Sequence, residues 1–256
     1  MERRKLNAKT LIAFLKILVM DLSLALSMMA MEHTAMLHPN SPTLKSKHSL
    51  IVSLICSSTL KMHLLPTTRK RSQESKQSPY HQMLNEKFKT LQSKFKKNPD
   101  FILSGTCAVA VIVFPEIIFS LNIGDSRAVL CNLELNDDKP VTKTAIELSI
   151  DHKPSRDIEK ERIIKCGGKI ERQKSNNDEK EVGPLRIWKN EEEGPGIAIT
   201  RSLGDILAHT IGVLHEPEIT FRMREPGDKF IVMGSDGIWD MMTSAESIGF
   251  VLCCEK

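Results

Sequence analysis

The chain has 256 residues, a length for one sizeable domain or one domain with a tail; 41% are hydrophobic and only 5% aromatic, so aliphatic and methionine side chains must fill its core. A net charge of +4, from 36 basic against 32 acidic residues, is too mild to argue for a nucleic-acid partner without a clustered basic face. Six cysteines (Cys56, Cys107, Cys131, Cys166, Cys253, Cys254) contain no C-x-x-C pair, so neither a zinc site nor a disulfide framework is indicated, and a cytoplasmic or nuclear monomer is expected.

Residues 1–79 read differently from the rest. Glu2-Arg3-Arg4-Lys5 precedes an apolar run over residues 11–31 that Lys16 and Asp21 interrupt. Each charge near the middle of a membrane span costs about 2.5–3.5 kcal/mol, so neither a signal peptide nor a membrane anchor is expected. Residues 38–78 show short apolar bursts without a period of 2 or 3.6 and read as non-domain sequence. Arg69-Lys70-Arg71 is either a nuclear address or a solvated linker.

From residue 80 the texture changes. Met83, Phe88, Leu91 and Phe95 recur at helical spacing, predicting an amphipathic helix that ends near Asn98-Pro99. Residues 105–114 and 117–123 are apolar, β-rich runs separated by Pro115-Glu116 and predict a hairpin; residues 128–131 predict a third short strand. Residues 158–166 have helical spacing that Gly167-Gly168 stops. Residues 176–190 read as a polar loop. Residues 197–204, 216–221 and 230–233 predict further strands, and residues 246–254 a closing helix. Strands come in adjacent pairs, which favours an α+β fold with antiparallel sheets covered by helices.

The stretch Gly234-Ser235-Asp236-Gly237-Ile238-Trp239-Asp240 follows the last of those strands. Two carboxylates on a loop held by a strand suit a hard divalent cation such as Mg²⁺ or Mn²⁺. The same spacing also describes an Asp-Gly turn followed by a helix cap from Asp240 or Thr243.

Four blocks in order, with Glu216-Pro217-Glu218-Ile219 beside them, carry a resemblance: Gly124-Asp125-Ser126-Arg127-Ala128; Asp151-His152-Lys153-Pro154 with Glu161-Arg162-Ile163 and Gly167-Gly168; Thr200-Arg201-Ser202-Leu203-Gly204-Asp205; and Ser235-Asp236-Gly237-Ile238-Trp239-Asp240. Over about residues 80–254 the chain resembles the PPM family, the type-2C metal-dependent protein phosphatases. The resemblance implies an α-β-β-α sandwich of two antiparallel sheets and a cleft holding two or three Mn²⁺ or Mg²⁺ ions. It implies metal-activated water acting on phosphoserine or phosphothreonine of a protein substrate, without a phosphoenzyme. Carried over by position, Asp236 is a ligand of the two-metal core with Gly237 giving a tight turn beside it, and Asp125 and Asp240 bind a third, weaker metal. Arg201 and Asp205 support the fold. His152 is assigned no chemistry. Residues 168–196 correspond to a variable flap in which Arg172, Arg186 and Lys189 either meet substrate or stay solvated.

The pattern also breaks. A phosphate-binding arginine and an Asp-Gly-His-Gly-Gly block expected early in the domain are absent, as is a late Asp-Asn pair, so the sandwich is expected to be incomplete at both ends, with apolar sheet edges. Asp236 is the one core ligand that the sequence names. The codons that Met28-Met29-Ala30-Met31-Glu32 requires spell Asp-Gly-x-Gly when read one base earlier, so residues 1–79 are expected to be partly out of frame. Two functions remain in view: a metal-dependent serine/threonine phosphatase, and an inactive fragment or pseudophosphatase acting as a binding module.

Overall fold

The strand of residues 108–113 is apolar at every position because both of its faces are covered. In the computed structural model, which describes residues 19–21, 79–136, 139–174, 181–189 and 194–254, β3 (Ala108–Val113) pairs antiparallel with β4 (Ile117–Ile123) around the turn through Pro115. Val109, Val111 and Val113 face one apolar cluster, while Ala108, Ala110 and Ile112 face another, the period of 2 that a pleated strand imposes.

The second cluster is closed by helix α1 (Pro79–Phe95), which contributes Leu84, Phe88, Leu91 and Phe95. Leu84, rather than Met83, heads the buried stripe; Met83 packs only partly against it. Gln92 on the same helix is buried, its side chain donating to the Gly204 carbonyl at 2.9 Å and accepting the Gly204 N–H at 3.0 Å. These bonds tie α1 to the short ribbon of β2 (Gly105–Thr106) and β10 (Leu203–Gly204).

The first cluster lies between two sheets. One has the order β11 (Glu218–Met223), β4, β3. The other has the order β1 (Val19–Asp21), β12 (Asp228–Gly234), β5 (Arg127–Asn136), β6 (Lys139–Glu147), all pairs antiparallel. Helix α5 (Ser244–Cys254) covers the outer face of the second sheet with Ile248 and Val251. Helix, sheet, sheet, helix is therefore the layer order, and the α+β sandwich expected from the sequence is the fold.

Two expectations change. Residues 128–131 form only part of the ten-residue β5, whose continuation pairs with β6, a half-exposed strand too polar to be read from its pattern. The stretch expected as a polar loop holds β8 (Glu181–Trp188), the middle strand of a small sheet with β7 (Lys169–Lys174) and β9 (Pro195–Ile197). Ile187 is the one fully buried residue of β8, so the strand leaves almost no alternation to read. It packs with Ile163 of helix α2 (Asp157–Lys165) and with Ala208 of α3 (Ile206–His209).

Of the sheet edges, β11 exposes Phe221 and Met223, whereas all six residues of β3 are buried. Among the described residues no helix is long and apolar enough to cross a membrane. Apart from β1, residues 1–78 lie outside the described residues, and with them the nuclear-address and reading-frame expectations.

Candidate functional site

The candidate site is built where β4 and β12 end. β4 delivers Asp125 through a turn at Gly124, whose φ of +97° suits glycine. An added Cβ at Gly124 would lie 2.2 Å from Cys107 Sγ, so the position also needs the missing side chain. β12 delivers Asp236 as the first residue of the short helix α4 (Asp236–Trp239), and Asp240 is its C-cap. The indole of Trp239 donates to the Gly234 carbonyl at 2.7 Å and locks this strand-to-helix corner.

Lys153 links the two ends. Its ammonium lies 3.6 Å from Asp125 Oδ2 and 3.7 Å from Asp240 Oδ1. Asp125 is 6% exposed. Burial raises its carboxyl above the ordinary aspartate value; Lys153 pulls it back, and the nearby Asp236 charge adds to the rise. The Cys107 thiol donates to Asp125 Oδ1 at 3.3 Å, and burial followed by the Asp125 charge pushes that thiol well above its usual range. The thiol is therefore a neutral donor.

The structure thus brings Asp125, Asp236 and Asp240 into one electrostatic neighbourhood. Gly237 is different from its expected role. It lies within α4, it is not among the positive-φ glycines, and an added Cβ would meet nothing nearer than Ser235 Oγ at 3.6 Å. No tight turn depends on it. Thr243 does cap a helix: it accepts the Glu246 N–H at 3.2 Å, while Glu246 accepts the Thr243 N–H at 2.8 Å, a capping box before α5.

Several residues without an assigned role turn out to hold the site. The Nε and Nη2 atoms of Arg127 donate to the two oxygens of Asp151 at 2.9 and 2.8 Å, and its guanidinium lies over the Trp239 ring. His152 is fully buried and bonds Gly124 on one side and Glu218 on the other. Glu218 is also gripped by Arg156 at 2.5 and 2.9 Å, which holds its carboxyl far below the ordinary glutamate range. His152 and Lys153 are neighbours inside the Asp-His-Lys-Pro block, so the block itself was the signal; what each side chain meets was not in it.

Arg201 serves the scaffold. It donates through Nη2 to Glu159 Oε1 at 2.7 Å, and Arg162 and Thr200 donate to Glu159 Oε2 at 2.6 and 2.7 Å. Asp205 is buried in the left-handed region at φ 42°, its N–H donating to the Ser104 carbonyl. In the sheet of β7, β8 and β9, Arg172 donates to the Gly183 carbonyl and Arg186 to the Gly196 carbonyl, so both brace that sheet itself; Lys189 is exposed beyond the end of β8.

As a cation site the donor set is partial. Among the described residues no group of three or more His, Cys, Asp or Glu side chains is arranged to hold one metal ion. The hard oxygens of Asp125 and Asp240 suit one Mn²⁺ or Mg²⁺ in the place that Lys153 now neutralises. With Asp236 as the remaining carboxylate, they do not complete a two-ion centre.

The sequence model of the family described as Protein phosphatase 2C matches residues 50–256, beginning well before the change of texture at residue 80. Among curated proteins the chain is similar to Probable protein phosphatase 2C 48 of Oryza sativa subsp. japonica, 33% identical over 59% of this chain and 42% of that one. It is also similar to Probable protein phosphatase 2C 34 of Arabidopsis thaliana, 30% identical over 80% of this chain and 55% of that one. The chain thus spans about half the length of the curated relatives it matches. Among solved structures, a serine-threonine phosphatase 2C from Toxoplasma gondii shares the fold with a TM-score of 0.64 at 18% identity, covering 87% of this chain and 71% of that one. With the family match spanning most of its residues, this chain belongs to the protein phosphatase 2C family of protein serine/threonine phosphatases.

Proposed function

We propose that the cleft at the ends of β4 and β12 takes a phosphoserine or phosphothreonine side chain of a protein and, with Mn²⁺ or Mg²⁺ bound, hydrolyses it. The observation that carries this reading is the convergence of Asp125 and Asp240, from two separate loops, on Lys153, with the Asp236 charge acting on Asp125. A bound divalent ion supplies a water of lowered pKa and offsets phosphoryl charge. Asp125 and Asp240 are the ligands proposed for one such ion and Asp236 the ligand proposed for the core pair. Cys107, Gly124 and His152 fix the Asp125 carboxylate, and the Arg127–Asp151 pair steadies the corner that carries Asp236 and Asp240. Arg172, Arg186 and Lys189 are proposed to stand on the flap beside the substrate.

One observation favours a second reading, a non-catalytic phosphoprotein-binding module: no described group of three ligands is arranged for a metal. A Mn²⁺ titration with a phosphoserine peptide separates the two. Metal-dependent phosphate release that Asp236→Asn abolishes supports hydrolysis. Peptide binding without phosphate release at any Mn²⁺ concentration supports the binding module.

Among the described cysteines none is joined in a disulfide, which accords with a cytoplasmic or nuclear setting. We also read the codons around Met28 as an out-of-frame copy of the missing Asp-Gly-His-Gly block; sequencing the transcript across that stretch tests it, and peptides from an unbroken frame there overturn it.

A further inference from the structure

Beside the corner at Asp240 lies an open groove of about 610 Å³, walled by β6, by the end of α4 and by the first turn of α5. Its walls carry Glu147, Asp240 and Glu246 against a single cation, Arg127. That guanidinium is bidentate to Asp151, lies 3.6 Å from Glu147 Oε1 and stands over Trp239, so its one charge is divided between two carboxylates and leaves the groove with a net negative charge. Lys153, the other nearby cation, stands between Asp125 and Asp240 on the far side of the latter. Six carboxylates, Glu147, Asp240, Glu246, Asp151, Asp125 and Asp236, therefore stand against the two cations Arg127 and Lys153 across the groove and the site that adjoins it.

The carboxylates are open to a ligand. The side chain of Asp240 is 65% exposed and that of Glu147 is 50% exposed. Glu246 is exposed and is held in place by its cap to Thr243. Between them Met241, 63% exposed, offers an apolar surface on which the methylene stem of an arginine or lysine can lie while its head meets a carboxylate. The groove is also continuous with the candidate site, because Asp240 belongs to both.

We propose that this groove receives a basic segment flanking the phosphorylated residue of a protein substrate, and so selects phosphoserine and phosphothreonine sites with arginine or lysine beside them. The inference rests on the reading of the cleft as a phosphoserine site, but charge complementarity is what chooses the occupant. Charged groups at such a rim act mainly on encounter rate and on salt dependence.

The test uses the full chain and fluorescence anisotropy. One labelled peptide carries a phosphoserine with two arginines beside it; the other carries glutamines in their place. The expected result at low salt is about ten-fold tighter binding of the arginine peptide, a preference that shrinks as salt rises. Glu147→Gln, which keeps the acceptor for the Ser244 hydroxyl, and Met241→Lys, at an exposed position, should each weaken the arginine peptide about three-fold or more and leave the glutamine peptide unchanged. Equal binding of the two wild-type peptides overturns the proposal, and so does a preference that survives both substitutions. Binding is read without turnover, so a chain that prefers the arginine peptide yet releases no phosphate overturns the hydrolytic reading alone. Phosphate release from both peptides with equal binding overturns the groove proposal alone.

Discussion

His152 holds Gly124 from two directions: its ring Nδ1 accepts the Gly124 N–H at 3.1 Å, and its own backbone N–H donates to the Gly124 carbonyl at 2.9 Å. The other ring nitrogen, Nε2, lies 2.9 Å from the Glu218 carboxylate, which Arg156 keeps ionised; Nε2 therefore carries the proton and Nδ1 is free to accept. A histidine from one loop thus sets the turn that presents Asp125.

Replacing His152 by Phe keeps a ring but leaves the Gly124 N–H without its acceptor and takes one of three hydrogen bonds from Glu218, which Arg156 still holds. The expected cost is about 2–4 kcal/mol, read as a lower urea midpoint with unchanged slope. Burial holds the His152 ring below the ordinary histidine value of 6.5, against the opposing pull of Glu218. Its contribution to stability is therefore complete above that value and declines as pH falls below it, because the unfolded chain takes up the proton first. Urea titrations across this range should show the decline in the wild type and a weaker one in His152→Phe.

Glu159 gives a second acid-sensitive step. Burial pushes its carboxyl up, but donation from Arg162, Arg201 and Thr200 outweighs burial and brings it from the ordinary 4.5 to about 2. A depressed carboxylate stabilises the fold above its unfolded value, and that stability is lost as pH falls from about 4.5 toward about 2. Glu159→Gln removes the shared anion of two arginines, and the expected loss is about 3–5 kcal/mol at neutral pH. Thermal melting at neutral pH checks the loss, and melting near pH 3 should show the difference from wild type narrowing.

Lys153→Met should move cation affinity and stability in opposite directions. Without the ammonium, the charges of Asp125, Asp236 and Asp240 repel one another, so the metal-free chain should melt lower. The same repulsion draws in a divalent ion, and Mn²⁺ should bind about ten-fold more tightly. Electron paramagnetic resonance of free Mn²⁺ reads this without any turnover assay. Asp240→Asn in the same background should reverse the gain.

Two glycines should respond with opposite signs. Gly237→Ala adds a methyl group that meets only Ser235 Oγ, at an ordinary contact distance of 3.6 Å, within a helical turn, and about 0.5–1 kcal/mol of stabilisation is expected from the helix preference of alanine. Gly105→Ala places a Cβ 1.8 Å from Asp205 Oδ2, in the ribbon that joins β2 to β10, and about 1–3 kcal/mol of destabilisation is expected. Paired melting curves of the two variants check both.

Much of this protein is local, and the sequence by itself determined that part. The stripe through Phe88, Leu91 and Phe95, the continuous apolar run of β3, the Gly167 stop after α2 and the corner after β12 each follow from neighbours along the chain, where burial pattern and backbone restriction act over a few residues. β6 and β8 were not legible, because an exposed strand takes its conformation from hydrogen bonds to its partners and carries little alternation of its own. The site divides in the same way. Asp125, Asp236 and Asp240 could be named from their blocks, but only the tertiary structure put Lys153 between two of them, His152 beneath Gly124 and an acidic groove beside Asp240. Those relationships join residues far apart in sequence, and their strength depends on burial and distance, which are properties of the packed chain alone.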